Sequence, residues 1–120
     1  MNGIVDESLR ALIDVSVAAA KGAERTPLTV WIDTAFNGGL AIPRGQIAHL
    51  GLEQASTTQA ILADGQLVDL ETFTCYLEWF GSVYRTQVVA NDGEVPLLGT
   101  MLLKGRKLMI DYAAKSVGVD

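Results

Sequence analysis

The stretch Val30-Trp31-Ile32-Asp33-Thr34-Ala35-Phe36-Asn37-Gly38-Gly39 carries the reading of this chain. An apolar run ends on a carboxylate, and a hydroxyl residue and a small residue follow it. Small residues there let backbone N–H groups and a hydroxyl approach the carboxylate, which keeps it ionised where water is scarce. A plainer reading stays open from these residues alone. Asp33 then starts a turn, and Asn37-Gly38 is an ordinary hairpin tip.

The flanking sequence reads as short strands punctuated by glycine. Leu9, Ala11, Ile13, Val15 and Val17 share one face at period two, and residues 21–26 form a polar tip. Pro27 then opens a second run through Leu28, Val30 and Ile32. Residues 43–50 predict one short helix, with Pro43 near its first position and Gly51 as its stop. Residues 57–63 read as a strand, and Asp64-Gly65 as a two-residue hairpin turn. A long return strand spans 66–79, with Phe73, Cys75, Leu77 and Trp79 on one face. Phe80-Gly81-Ser82 turns the chain into a strand over 83–90, and Asn91-Asp92-Gly93 is a loop. Residues 101–104 predict a helical turn, and Leu108, Met109 and Ile110 a final strand. The pattern is that of one all-β domain covering residues 1–120.

Composition narrows the function. Lys plus Arg number 9 against 14 Asp plus Glu, a net charge of −5, which argues against a partner held through nucleic-acid phosphates. Hydrophobic residues at 49% and charged residues at 19% build a core rather than a disordered chain. A single cysteine, Cys75, excludes an internal disulfide and a cysteine-rich zinc site. A single histidine, His49, argues against a histidine metal site or a Ser-His triad, so no metal or cofactor is expected. No run reaches the ~18 apolar residues of a membrane span. The apolar stretch 13–20 is preceded by Asp6 and Glu7 and interrupted by Asp14, unlike a signal peptide. The expectation is a cytoplasmic protein without a membrane partner.

The order of features along the chain adds more. Ile32-Asp33-Thr34-Ala35-Phe36-Asn37-Gly38 follows an N-terminal hairpin and precedes a long hairpin tipped by Ala63-Asp64-Gly65. Pro96-Leu97-Leu98-Gly99-Thr100-Met101-Leu102-Leu103 comes next, and then the strand ending near Tyr112. This resembles the retropepsin-like aspartic proteases, in particular their small single-domain prokaryotic members. In that family an apolar strand ends in Asp-Thr-Gly, a flap hairpin follows, and two apolar residues and a glycine precede a short helix. Here Ala35 stands where the family has glycine, and Thr100 where retroviral members have arginine. The added methyl of Ala35 costs nothing where the local φ is negative.

The resemblance implies a closed β-barrel with a flap hairpin and one or two short helices. It implies a homodimeric aspartic endopeptidase acting on a peptide or protein substrate, with one catalytic Asp33 from each subunit. Thr34 and Ala35 would support the site. Phe36, Asn37, Ala63, Asp64, Gly65 and Leu97 would contact substrate. The alternatives are a catalytically inactive module of the same fold, serving dimerisation or peptide binding, and a monomeric barrel with Asp33 in a local turn. His49 and Cys75 read as structural residues, Trp31 and Trp79 as covers for hydrophobic surface, and Asp111 as a strand-end or dimer contact.

Overall fold

The computed structural model describes the backbone of residues 1–120 and every side chain but those of Thr58 and Ala60. In chain order the elements are β1 (Asn2–Val5), β2 (Ala11–Ala18), β3 (Thr26–Ile32), β4 (Leu40–Pro43), α1 (Arg44–Leu50), β5 (Glu53–Ile61) and β6 (Leu67–Trp79). Then follow β7 (Ser82–Asn91), β8 (Leu97–Leu98), α2 (Thr100–Leu103), β9 (Leu108–Asp111) and β10 (Ser116–Val119). The strands form one sheet in the order β5-β6-β7-β4-β8-β3-β2-β1-β10-β9. A further pairing of β6 with β2 closes β2-β3-β8-β4-β7-β6 into a six-stranded barrel.

Alternation fills that barrel. Ala11, Ile13, Val15 and Val17 of β2 and Leu28, Val30 and Ile32 of β3 are buried, while Asp14, Thr29 and Trp31 between them face out. Strand β4 is buried at all four positions, because β7 and β8 flank it on either side. Leu40, Ile42, Leu77, Val88 and Leu98 complete the interior without measurable exposure of Leu40 or Leu98. Truncating Leu98 to alanine there would cost roughly 2–5 kcal/mol.

Several expectations need correction. Leu9 is not on the buried face of β2: it is 65% exposed with φ +64, in a turn closed by hydrogen bonds between Asp6 and Arg10 and between Leu9 and Asp6. Short strands β1 and β10 were not foreseen, and β9 is therefore not the last strand. β10 lies between β1 and β9, pairing Val117 with both Gly3 and Ile110. Strand β5 begins at Glu53 rather than at residue 57, and it carries a bulge between Gln54 and Ser56. The helix α1 starts at Arg44. Pro43 is its N-cap and the end of β4, and Gly51 caps the C-terminus in the left-handed conformation. Thr72, on the face of β6 opposite Cys75, is buried, and its hydroxyl is partnered by the Ser56 hydroxyl at 2.8 Å. Among the described residues, no helix is long and apolar enough to cross a membrane.

Candidate active site

Asp33 emerges where β3 leaves the barrel. Ile32 is still buried, and the next residue is half-buried. Strands β3 and β8 run parallel, with Trp31 beside Leu97 and Ile32 beside Leu98. The Asp33 N–H continues this ladder, donating to the Leu98 carbonyl oxygen at 2.9 Å. The side chain then folds back on its own loop. Asp33 Oδ1 accepts the Ala35 N–H at 3.0 Å, and the Asp33 carbonyl oxygen accepts the Phe36 N–H at 3.1 Å.

The loop is stitched to the start of α2 by three more backbone bonds. Thr100 N–H donates to the Phe36 carbonyl oxygen at 2.8 Å, Met101 N–H to that of Gly38 at 3.2 Å, and Gly99 N–H to that of Gly39 at 2.8 Å. Such contact requires bare backbone. A side chain at Gly99 would collide with the carbonyl oxygens of Gly38 and Phe36. One at Gly38 would strike the Phe36 ring. The Phe36 ring therefore packs over these two glycines, half-buried, and does not line the cleft described below.

Ala35 sits in ordinary backbone. Among the described residues only Leu9, Phe80 and Lys115 combine a side chain with positive φ. The methyl is exposed, as are Thr34 and Asn37. Leu97 lines a cleft of about 300 Å³ with Trp31, Val95, Asn91, Gly93 and Glu94. Sequence reasoning did not select Trp31 or Val95 for a cleft. The available signal was an indole pointing outward on β3, 39% exposed, two positions before Asp33.

Ala63, Asp64 and Gly65 form the tip of the β5–β6 hairpin. The loop has three residues rather than two: Leu62 N–H donates to the Gln66 carbonyl oxygen at 2.8 Å, and Gly65 N–H to that of Leu62 at 2.9 Å. Gly65 takes φ +85, the left-handed conformation that a type I turn with a bulge demands. Asp64 Oδ1 accepts the Gln66 N–H at 3.0 Å, a turn role. These bonds are internal to the hairpin, so the tip is not fastened to the Asp33 loop by them. Ile61, Leu62 and Leu67 around it are exposed at 73%, 45% and 64%. Elsewhere, His49 is an exposed residue of α1. Cys75 is buried, and burial pushes its thiol up to about 12, so it is not a thiolate nucleophile at neutral pH.

Neither a protein-family model nor a curated protein matches the chain. Solved structures do. A retropepsin-like aspartic protease from Rickettsia conorii superposes with a TM-score of 0.62 at 16% identity, over 98% of this chain and 86% of that one. The EIAV protease, complexed with the inhibitor HBY-793, superposes with a TM-score of 0.59 at 20% identity, over 83% of this chain and 90% of that one. The fold is retropepsin-like: an all-β closed barrel with a projecting hairpin and two short helices.

Proposed function

We propose that this chain is an aspartic endopeptidase that works as a homodimer. The observation that supports it best is the seating of Asp33. In a retropepsin-like barrel, Asp33 directly follows β3, its backbone N–H donating to the Leu98 carbonyl oxygen and its carboxylate accepting the Ala35 N–H. The chain contains one Asp-Thr-Ala, and the reaction needs two carboxylates about one water, so Asp33 of a second copy completes the pair on a twofold axis. Two carboxylates that close cannot both be ionised, so they share one proton. One takes the proton of the attacking water, while the other, protonated, polarises the scissile carbonyl.

Thr34 braces the two loops across the axis. The Ala35 backbone and Asn37 contact the substrate main chain. Ala63, Asp64 and Gly65 lie over an extended peptide and add strand-like hydrogen bonds. Leu97, with Trp31 and Val95, takes an apolar side chain. Phe36, seated against Gly38 and Gly99, lines a further side-chain pocket.

The test is cleavage of an apolar peptide library by the wild type and by Asp33→Asn across about pH 4 to 8. The wild type is expected to cleave best at mildly acidic pH, and Asp33→Asn to lose cleavage while keeping its fold. Equal cleavage by both proteins removes the dyad. Peptide binding without cleavage by the wild type points instead to an inactive module of this fold.

A further inference from the structure

The cleft of Trp31, Val95 and Leu97 has one wall that is held from outside. Asp6 grips Arg10 through both carboxylate oxygens: Oδ2 accepts the Arg10 Nε–H at 2.8 Å, and Oδ1 accepts the Arg10 backbone N–H at 2.9 Å. Oδ1 also accepts the Ser8 N–H at 3.0 Å. Positive φ at Leu9 turns the chain back between them, so that an i, i+4 pair meets without a helix. The guanidinium held in this way stands over the Trp31 ring, 5.8 Å from its centroid. Trp31 pairs with Leu97 across β3 and β8, and both line the cleft.

An indole left to itself samples several rotamers, and a cation over its face favours one. A ring fixed in advance offers an aromatic guest a stacking surface with defined geometry, whereas a branched aliphatic guest gains buried area alone. Glu94 on the same cleft disfavours an acidic guest.

We propose that Arg10 is a positioning residue for substrate selection: clamped by Asp6, it holds Trp31 as the wall of this cleft, which then prefers an aromatic side chain of the peptide to a branched aliphatic one. The proposal rests on the endopeptidase reading above and extends it to the substrate. Arg10 acts through Trp31 and touches no reacting atom.

The test uses two peptides that differ only in Phe or Leu at the residue beside the scissile bond, cleaved by the wild type, Arg10→Met and Arg10→Lys. The wild type is expected to favour the Phe peptide in kcat/KM. Arg10→Met is expected to lose that preference by about two- to fivefold, mainly through KM, and Arg10→Lys to keep part of it. In the NMR spectrum the Trp31 indole N–H should move in Arg10→Met, while that of the buried Trp79 stays. A wild type that cleaves both peptides equally, or an Arg10→Met ratio equal to that of the wild type, overturns the role of Arg10 and leaves the endopeptidase reading intact. A wild type that neither cleaves nor binds either peptide overturns both.

Discussion

The Asp33 N–H donates to the carbonyl oxygen of Leu98 at 2.9 Å, so the residue that follows β3 is anchored by a two-residue strand from the other end of the chain. That strand is followed at once by Gly99, whose bare backbone receives the loop. The position of the carboxylate thus depends on close packing of two loops rather than on a network of side chains.

Gly99→Ala is the direct check. The added methyl has nowhere to go between two carbonyl oxygens and the Phe36 ring. Overpacking of this kind costs about 1–3 kcal/mol. Urea unfolding should show a lower midpoint, and cleavage should fall because the Asp33 loop is displaced. Ala35→Gly is the matched control. Its position has no positive φ to relieve, so the variant should lose about 0.4–1 kcal/mol through the freer unfolded chain and gain nothing.

The oligomeric state can be read directly. Light scattering at micromolar concentration should give twice the 12.8 kDa of one chain. A mass of one chain at every concentration would leave Asp33 without its counterpart.

Hydrogen exchange should separate the hairpin tip from the barrel. Amides of residues 62–67 are tied only by local bonds around an exposed turn, whereas β3 is paired on both sides by β2 and β8. Faster exchange is expected at the tip than at Val30 or Ile32, with slowing when an uncleaved peptide analogue binds. Equal protection at the tip without ligand would count against its movement over a substrate.

The Asp6–Arg10 pair has a pH signature. The Arg10 backbone N–H, followed by the Arg10 side chain, holds the Asp6 carboxyl below its ordinary 3.8 against partial desolvation. A depressed value means that the pair is complete above about 3.8 and is lost only as the pH falls through the lower folded value. The Trp31 indole N–H should therefore stay constant from neutral pH down to about 4 and shift below it. Asp6→Asn should abolish that step. A Trp31 shift centred near neutral pH would detach the indole from Asp6.

Local chemistry made much of the fold legible. Gly65 and Gly51 demanded left-handed turns, and alternation in β2, β3 and β6 marked the barrel faces. The loop after Ile32 was recognisable because a carboxylate followed by small residues departs from strand chemistry. What escaped was set by distant partners. Asn2-Gly3-Ile4-Val5 and Ser116-Val117-Gly118-Val119 have weak strand patterns by themselves, and each becomes a strand because the other pairs with it. Leu9 continued an apolar alternation and yet turned outward, because Asp6 and Arg10 close a turn around it. The cleft that Trp31 and Leu97 share needed the parallel pairing of β3 with β8, which no local pattern encodes. The seating of the Phe36 ring against Gly38 and Gly99 was likewise illegible, because nothing in its neighbours shows that Gly99 would come to lie beneath it.

The pairing of β1 with β10 has a kinetic consequence. Val119 N–H donates to the Met1 carbonyl oxygen at 2.8 Å, and the Met1 amine donates to the Val119 carbonyl oxygen at 2.9 Å. Strand β1 cannot find this neighbour until residue 119 has been made and has left the exit tunnel. Pairings of such sequence separation slow the search for the native state and leave early strands exposed meanwhile. The time for which β1 waits for β10 is thus a quantity separate from the stability of the finished barrel.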